Sequence, residues 1–372
     1  MSQACAKTGG RRVLCSGLLV LTASARVNTV VEAQGARASC AADFEYIHAA
    51  ISRDYAGYED RLREGASTIG ALTDSVRAAT SQAPSDSACT ALLQRWLAPF
   101  SSHDHHLQLW QPRVGPAAAG ASGGGAAQGR PSVAFPDDST VVLTLPSFNE
   151  RYKPAIDSLI GAQWQRLLAS PFLVIDVREN GGGATRSYAA LLPLLYTKVI
   201  PRDGMDFWVS ERNLAMVRAT ATDAGAPPGL RAQAAKLLPG MEQSVGRFFA
   251  MGDSDSLRFD TVHALPRAVA VLTGAGCASS CEQFVLDAMH STKVVVMGVQ
   301  PTAGFLDYGN VLTVTPPAGI RRLAYATSRS RRLPDRPMDH TGIVPQVLIP
   351  REEVDRVAVA MRYLKGRRAG GA

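Results

Sequence analysis

Phe172-Leu173-Val174-Ile175-Asp176-Val177-Arg178-Glu179-Asn180-Gly181-Gly182-Gly183 sets the reading of the whole chain. Its first six residues are apolar except Asp176, which predicts a strand covered on both faces, the habit of parallel sheets. The glycines then allow successive backbone N–H groups to converge with no Cβ in the way. A helical pattern follows at 186–195. Working outward, Ala268 to Leu272 is a second buried strand, and it too runs through a glycine-rich turn into a helix, 280–289. Thr140 to Leu145, Val294 to Met297, Val311 to Thr315 and Arg321 to Ala326 complete the strands. Helices are expected over 152–168 and 354–364. This alternation predicts an α/β core over 136–366.

Ahead of the core, 42–53, 58–79 and 88–97 carry apolar residues at three- and four-residue spacing, so 40–112 reads as an N-terminal helical region that ends in a short strand at 107–110. Residues 113–135, rich in Ala, Gly, Ser and Pro, read as a linker. The stretch 201–260 is less regular, with helical signals at 230–238 and 241–249.

Composition narrows the function classes. With 372 residues, 46% hydrophobic and 19% charged, the chain has enough apolar content for a large core, and wholesale disorder is excluded. The net charge of +7 includes Lys7, Arg11 and Arg12, and much of the rest lies between Arg321 and Arg368. No basic helix interleaved with aromatics occurs, so nucleic acid is not an expected partner. The basic trio, the apolar run Val13–Leu21 and the small residues Ala23-Ser24-Ala25 predict a signal peptide over 1–25. An exported chain, periplasmic or secreted and with no stable membrane insertion after leader removal, is therefore expected; Arg11-Arg12 leaves both the general and the twin-arginine routes open. Four cysteines follow the leader. A Cys40–Cys89 bridge is the preferred pairing, and Cys277 and Cys281 are close enough in sequence to close a small ring around Ser279.

Two turns can carry chemistry. The glycines at 181–183 suit a tight turn, a phosphate cradle or an oxyanion hole, although no Lys-Ser/Thr follows them as a P-loop requires. In Thr273-Gly274-Ala275-Gly276-Cys277-Ala278-Ser279-Ser280-Cys281-Glu282, Ser279 begins a helix. Serine there is commonly an N-cap, yet its position after a buried strand also suits a nucleophile. A serine nucleophile needs a base. Three of the seven histidines cluster in Ser102-His103-Asp104-His105-His106, and His340 is another candidate. No complementary ligand cluster accompanies them, so neither a metal nor an organic cofactor is expected.

These segments together resemble the tail-specific, C-terminal-processing serine peptidase family, which includes the tricorn core protease and the interphotoreceptor retinoid-binding repeats. The likeness covers roughly 95–350. Thr144-Leu145-Pro146-Ser147-Phe148 resembles the strand entering its core, and 175–183 its DLRxNxGG signature. Ser279-Ser280-Cys281-Glu282 resembles its S-x-x-E segment, Pro301-Thr302-Ala303-Gly304 its GxxTxG, and Gly342-Ile343-Val344-Pro345 its GIxPD, with Gln346 in place of the final Asp.

The resemblance implies a crotonase/ClpP-like mixed α/β core, with Ser279 as nucleophile and oxyanion donors from Gly182 or Gly183 with Ser280. The lysine used by the bacterial processing branch is absent, since Phe305 follows Gly304. The likeness is therefore to the tricorn-like branch, with His106 as base, His105 or His340 as fallbacks, and Asp339 as the assisting acid. The implied substrate is a protein or peptide. A catalytically silent ligand- or peptide-binding module on the same fold is the alternative, and an esterase or amidase a third reading. The six arginines of 321–336 would favour a carboxylate-bearing peptide end if they border the cleft.

Overall fold

The structure, a computed structural model, describes residues 39–112, 129–252 and 256–366. The leader expected over 1–25 lies outside the described residues, as does most of the expected linker. From Ser132 onward the chain is already strand, so the linker ends before residue 135.

Six strands form the central sheet in the order β13 (Val347–Leu348), β10 (Val294–Gly298), β9 (Ala268–Thr273), β4 (Phe172–Asp176), β3 (Thr140–Thr144), β2 (Ser132–Asp137). All neighbours run parallel except β2, antiparallel on β3. Residues of β4 and β9 are buried throughout, as expected of a sheet covered on both faces. One face packs against α9 (Ser280–Met289), α4 (Lys153–Ala162) and α6 (Leu192–Leu195); the other is covered by α10 (Arg356–Gly366). Asp176 pairs with Leu272 and Thr273 with Gly298. The glycine turn after β4 and the serine turn after β9 therefore leave the same edge of the sheet, side by side.

A second, antiparallel sheet joins β1 (Gln108–Trp110), β12 (Arg322–Ser330), β6 (Met205–Trp208) and β7 (Phe248–Ala250), with β11 (Tyr308–Val314) also on β12, while β5 (Ile200–Pro201) and β8 (Ser256–Leu257) pair by themselves. The helices 39–54 (α1), α2 (Tyr58–Thr80) and α3 (Asp86–Ser101) pack on it, with Phe44, Trp96 and Phe100 in one cluster with Tyr308, Leu323 and Tyr325. Disulfides link Cys40 to Cys89 and Cys277 to Cys281. Because β1 pairs with β12, the histidine segment that precedes β1 is delivered from the helical region to the edge of the core.

Some local expectations need correction. The helix expected over 152–168 divides at Gln163 into α4 and α5 (Trp164–Ala169). That over 186–195 is mainly a 3₁₀ turn, Thr185–Leu191, before α6. Residues 241–249 are not one helix. α8 (Pro228–Glu242) ends, and Phe248–Ala250 pairs with Trp208, Phe207 and Asp206, so strand pairing overrides the local pattern. Helix α7 (Glu211–Thr222), packed beside α8, was not anticipated.

Candidate active site

The glycine turn is held by Asn180. This residue is wholly buried; its Nδ2 donates to Leu145 O (2.8 Å) and its Oδ1 accepts the Gly182 N–H (2.9 Å). Its own carbonyl accepts Ala278 N–H (3.1 Å), which ties the glycine turn to the serine turn. Phe148 N–H donates to Gly182 O and Ala184 N–H to Phe148 O, a parallel bridge that leaves the Gly183 N–H and carbonyl on the side away from Phe148. Gly182 has φ +90°, and a Cβ there would lie 2.5 Å from Ala278 O and 3.0 Å from the Ser279 Cβ. Only glycine permits this approach.

Ser279 sits at the head of α9 with φ 56° and ψ −119°. For a residue with a side chain this conformation costs of order 1–3 kcal/mol and persists only where its surroundings enforce it. They do. Ser279 N–H donates to Glu282 Oε2 (3.0 Å), and Cys281 N–H to Ala278 O (3.0 Å).

Glu282 is the hub that sequence reasoning left without a role. It is fully buried, and each oxygen accepts two donors. Oε2 takes Ser279 N–H and Phe305 N–H (2.8 Å); Oε1 takes Thr302 Oγ1–H (2.7 Å) and Gly304 N–H (2.7 Å). Four donors on one carboxylate satisfy the buried charge. They also clamp segment 302–305 to the first turn of α9. The signal was present in the sequence, since Ser-x-x-Glu is the spacing of a capping box.

Phe305 carries the contact onward. Its ring packs edge-on against His106 (centroids 5.3 Å apart) and tilted against His105 (4.6 Å). His106 N–H donates to Asp104 Oδ1 (2.8 Å), the same oxygen lies 3.5 Å from the His106 Nδ1, and Asp104 is wholly buried. Burial alone would depress the His106 pKa; the carboxylates of Asp104, Asp339 and Glu282 outweigh it and hold the pKa above its ordinary value. The Tyr55 hydroxyl faces Asp104, and burial first, then that carboxylate, push its pKa well above 10.

Asp339, expected as the assisting acid, forms no ion pair or hydrogen bond with His106 among the described residues and bears on it by charge alone. Its Oδ1 accepts the N–H groups of Leu306 (2.7 Å) and Asp307 (2.8 Å), while Asp307 Oδ2 accepts those of Met338 (2.6 Å) and Asp339 (2.8 Å). The two aspartates thus lock two loops reciprocally. Asp339 acts on His106 through space, and the carboxylate nearest the imidazole is Asp104. Burial, with Asp307 and Asp104 nearby, raises the Asp339 pKa to about 7. His340, at φ 76°, stacks edge-on with His105 (4.6 Å) and His103 (5.6 Å), with its backbone N close to Gly304. Among the described residues no group of three or more His, Cys, Asp or Glu is arranged to hold a metal ion.

Fold and site together define a mixed α/β protein with a strained serine at the head of a helix beside a glycine turn, and a histidine from another layer packed on Phe305 of the loop that the same glutamate clamps. A family model described as peptidase family S41 matches residues 139–349, and the chain belongs to that family. Its fold is similar to mature CPAF (11% identity, TM-score 0.59, covering 89% of this chain and 96% of that one). It is similar also to a protein from Parabacteroides merdae (15%, 0.54, 90% and 99%) and to a lipoprotein from Streptococcus agalactiae (14%, 0.50, 88% and 97%). None of the curated proteins compared with the chain matches it.

Proposed function

We propose that the chain is a serine peptidase of the tricorn-like kind, hydrolysing protein or peptide substrates through an acyl-enzyme on Ser279. The observation that carries this reading is the enforced positive φ of Ser279 on the Glu282 hub, which also holds the loop bearing Phe305 against His106. A serine serving only as a helix cap has no need of such strain.

In this scheme His106 Nε2 removes the Ser279 Oγ proton as Oγ attacks the peptide carbonyl carbon. The Asp104 carboxylate, 3.5 Å from Nδ1, stabilises the imidazolium that forms. The tetrahedral oxyanion is received by the N–H groups of Gly183 and Ser280. Gly182, the other expected donor, has its N–H engaged by Asn180 Oδ1, so it serves by close approach instead. Collapse expels the amine, which takes the proton from His106. A water deprotonated by His106 then attacks the acyl ester, releasing the carboxylate and restoring Ser279. Phe305 stands where the processing branch carries its lysine, and its packing on His105 and His106 supports the histidine route. We read the protein as exported, because paired cysteines belong to oxidising compartments.

The test is covalent trapping. A phosphonate reagent that labels activated serines is expected to modify the mature chain once, at Ser279, as mapped by peptide mass analysis; no adduct, or one elsewhere, would count against the reading.

The pH dependence follows from the His106 environment. The base must be neutral, so the acid limb of kcat/KM is expected above pH 6.5, the ordinary histidine value. Asp104→Asn keeps an oxygen for the His106 N–H but removes the charge that most favours the imidazolium. The acid limb should then move to lower pH, while a residue of purely structural importance would leave it in place. On stability the sign is opposite to that of a salt-bridged acid. Asp339 stays protonated in the fold up to about pH 7, so its contribution is greatest below the unfolded carboxylate pKa and declines as pH rises through that window. The raised His106 pKa pulls the same way, its contribution fading above pH 6.5.

A further inference from the structure

At the carboxyl ends of β4, β9 and β10 the central sheet opens into a cavity of about 370 Å³, whose lining includes Arg178, Thr273, Gly274, Gly276, Arg351 and Arg356. None of Ser279, His106, Gly183 or Glu282 lines it. In parallel sheets this edge is where ligands bind, and the groups gathered here are almost all donors.

Arg178 is held by Asp176, Nε to Oδ1 (2.9 Å) and Nη2 to Oδ2 (2.6 Å). Arg351 and Arg356 form no ion pair or side-chain hydrogen bond with any described residue, unlike Arg178 beside them. Thr273 is 1% exposed and its hydroxyl has no described partner; the Arg356 Nε is likewise buried and unmatched. Buried polar groups are ordinarily satisfied, and each that is not costs about 1–3 kcal/mol. The N–H groups of Gly274, Ala275 and Gly276 donate to no described backbone carbonyl. At Gly276 a Cβ would lie 2.6 Å from Arg178 O, so the turn is pressed against the cavity wall in a way only glycine allows. Against these donors stands one lining carboxylate, Glu179; Asp355 lies nearby with its Oδ1 accepting Ala358 N–H.

We propose that this cavity binds a small oxyanion, a phosphate or a carboxylate group, between Arg351 and Arg356 over the Gly274–Gly276 turn. Planar guanidinium forks and backbone N–H groups are the donors that suit such oxygens. The site is independent of the peptidase reading and stands or falls without it.

Titration calorimetry at fixed ionic strength tests the proposal on the full mature chain, with inorganic phosphate as one probe and an acetylated tripeptide, as free acid and as amide, as the other. Saturable binding of phosphate or of the acid is expected. Phosphate without the acid assigns a free anion, and the acid without its amide assigns a peptide carboxylate. The double variant R351A/R356A should weaken whichever binds by about tenfold or more, the loss of hydrogen bonds to a charged group. Glu179→Gln removes the opposing charge and should tighten it several-fold, a gain that misfolding cannot produce. No saturable binding of either probe, or binding that neither variant alters, overturns the proposal.

Discussion

Ser279→Ala is expected to lower turnover on an unfolded protein substrate by on the order of 10³-fold or more, and His106→Ala by a comparable factor, because nucleophile and base act as one unit. The double variant should then be no worse than either single one. The backbone makes the prediction sharper. At φ 56° an alanine carries the same steric penalty as serine, whereas glycine carries almost none. Ser279→Gly should therefore be as inactive as Ser279→Ala yet more stable than the parent by about 1 kcal/mol, since glycine at an N-cap costs only a few tenths. Strain stored at a functional residue has this signature, with activity and stability moving in opposite directions. A denaturation midpoint for Ser279→Gly below that of Ser279→Ala would mean that the strain is absent. Residual turnover within tenfold of the parent in either variant would remove Ser279 as nucleophile.

The parts of this protein that were legible in its sequence are those fixed locally or by burial on both sides. Phe172–Asp176, Ala268–Thr273 and Val294–Gly298 are apolar runs because they occupy a sheet covered on both faces, and their ends were readable to within a residue or two. Helix α2, expected unbroken over 58–79, spans Tyr58–Thr80 but is kinked at Gly65, and it follows the same kind of reason, an amphipathic stripe against a single layer. What escaped depends on pairing between distant segments. Nothing near Phe248 announces that it will lie against Trp208, and the antiparallel sheet exists only through such partners. The site divides the same way. Ser279 and the glycines lie in turns whose chemistry is local, so their motif could be read. The carboxylate nearest His106 is Asp104, two residues away and visible in the sequence, whereas the reciprocal locking of Asp339 and Asp307 is not, because spacing to Gly342 says nothing of where a carboxylate points. The partners of Asp339, the 306 and 307 N–H groups, come from a loop more than thirty residues earlier. The task of Glu282 is not local either, for its four donors come from Ser279, Thr302, Gly304 and Phe305, most of them some twenty residues downstream.

That four-donor arrangement makes Glu282→Gln a severe change despite its nearly identical shape. Each carboxylate oxygen accepts two hydrogen bonds, and glutamine offers only one oxygen. Its amide nitrogen is a donor and must face two other donors. Either Ser279 and Phe305 N–H, or Thr302 Oγ1–H and Gly304 N–H, are then left buried without an acceptor. At about 1–3 kcal/mol for each orphaned group, and with the amide N–H₂ itself unmatched, a loss of roughly 3–6 kcal/mol in unfolding free energy is expected. Thr302 spreads the damage, because its Oγ1 also accepts Ile343 N–H (2.6 Å), anchoring the segment that follows Asp339. Rotation of the glutamine selects which half is lost. If the nitrogen faces Ser279, the nucleophile turn relaxes and turnover falls with stability. If it faces Thr302, the 302–305 loop loosens and Phe305 no longer holds His106. Glu282→Asp retains both oxygens on a shorter stem and should be milder than Glu282→Gln in chemical denaturation, an ordering that charge without geometry would also give. Comparison with Thr302→Val separates the two. That variant removes one donor and one acceptor from the cluster while keeping the charge, and it should cost about 1–3 kcal/mol if the hydrogen bonds carry the hub. A Thr302→Val protein as stable as the parent, beside a Glu282→Gln protein that loses less than about 1 kcal/mol, would show that the clamp is not what holds Ser279 and Phe305 in place.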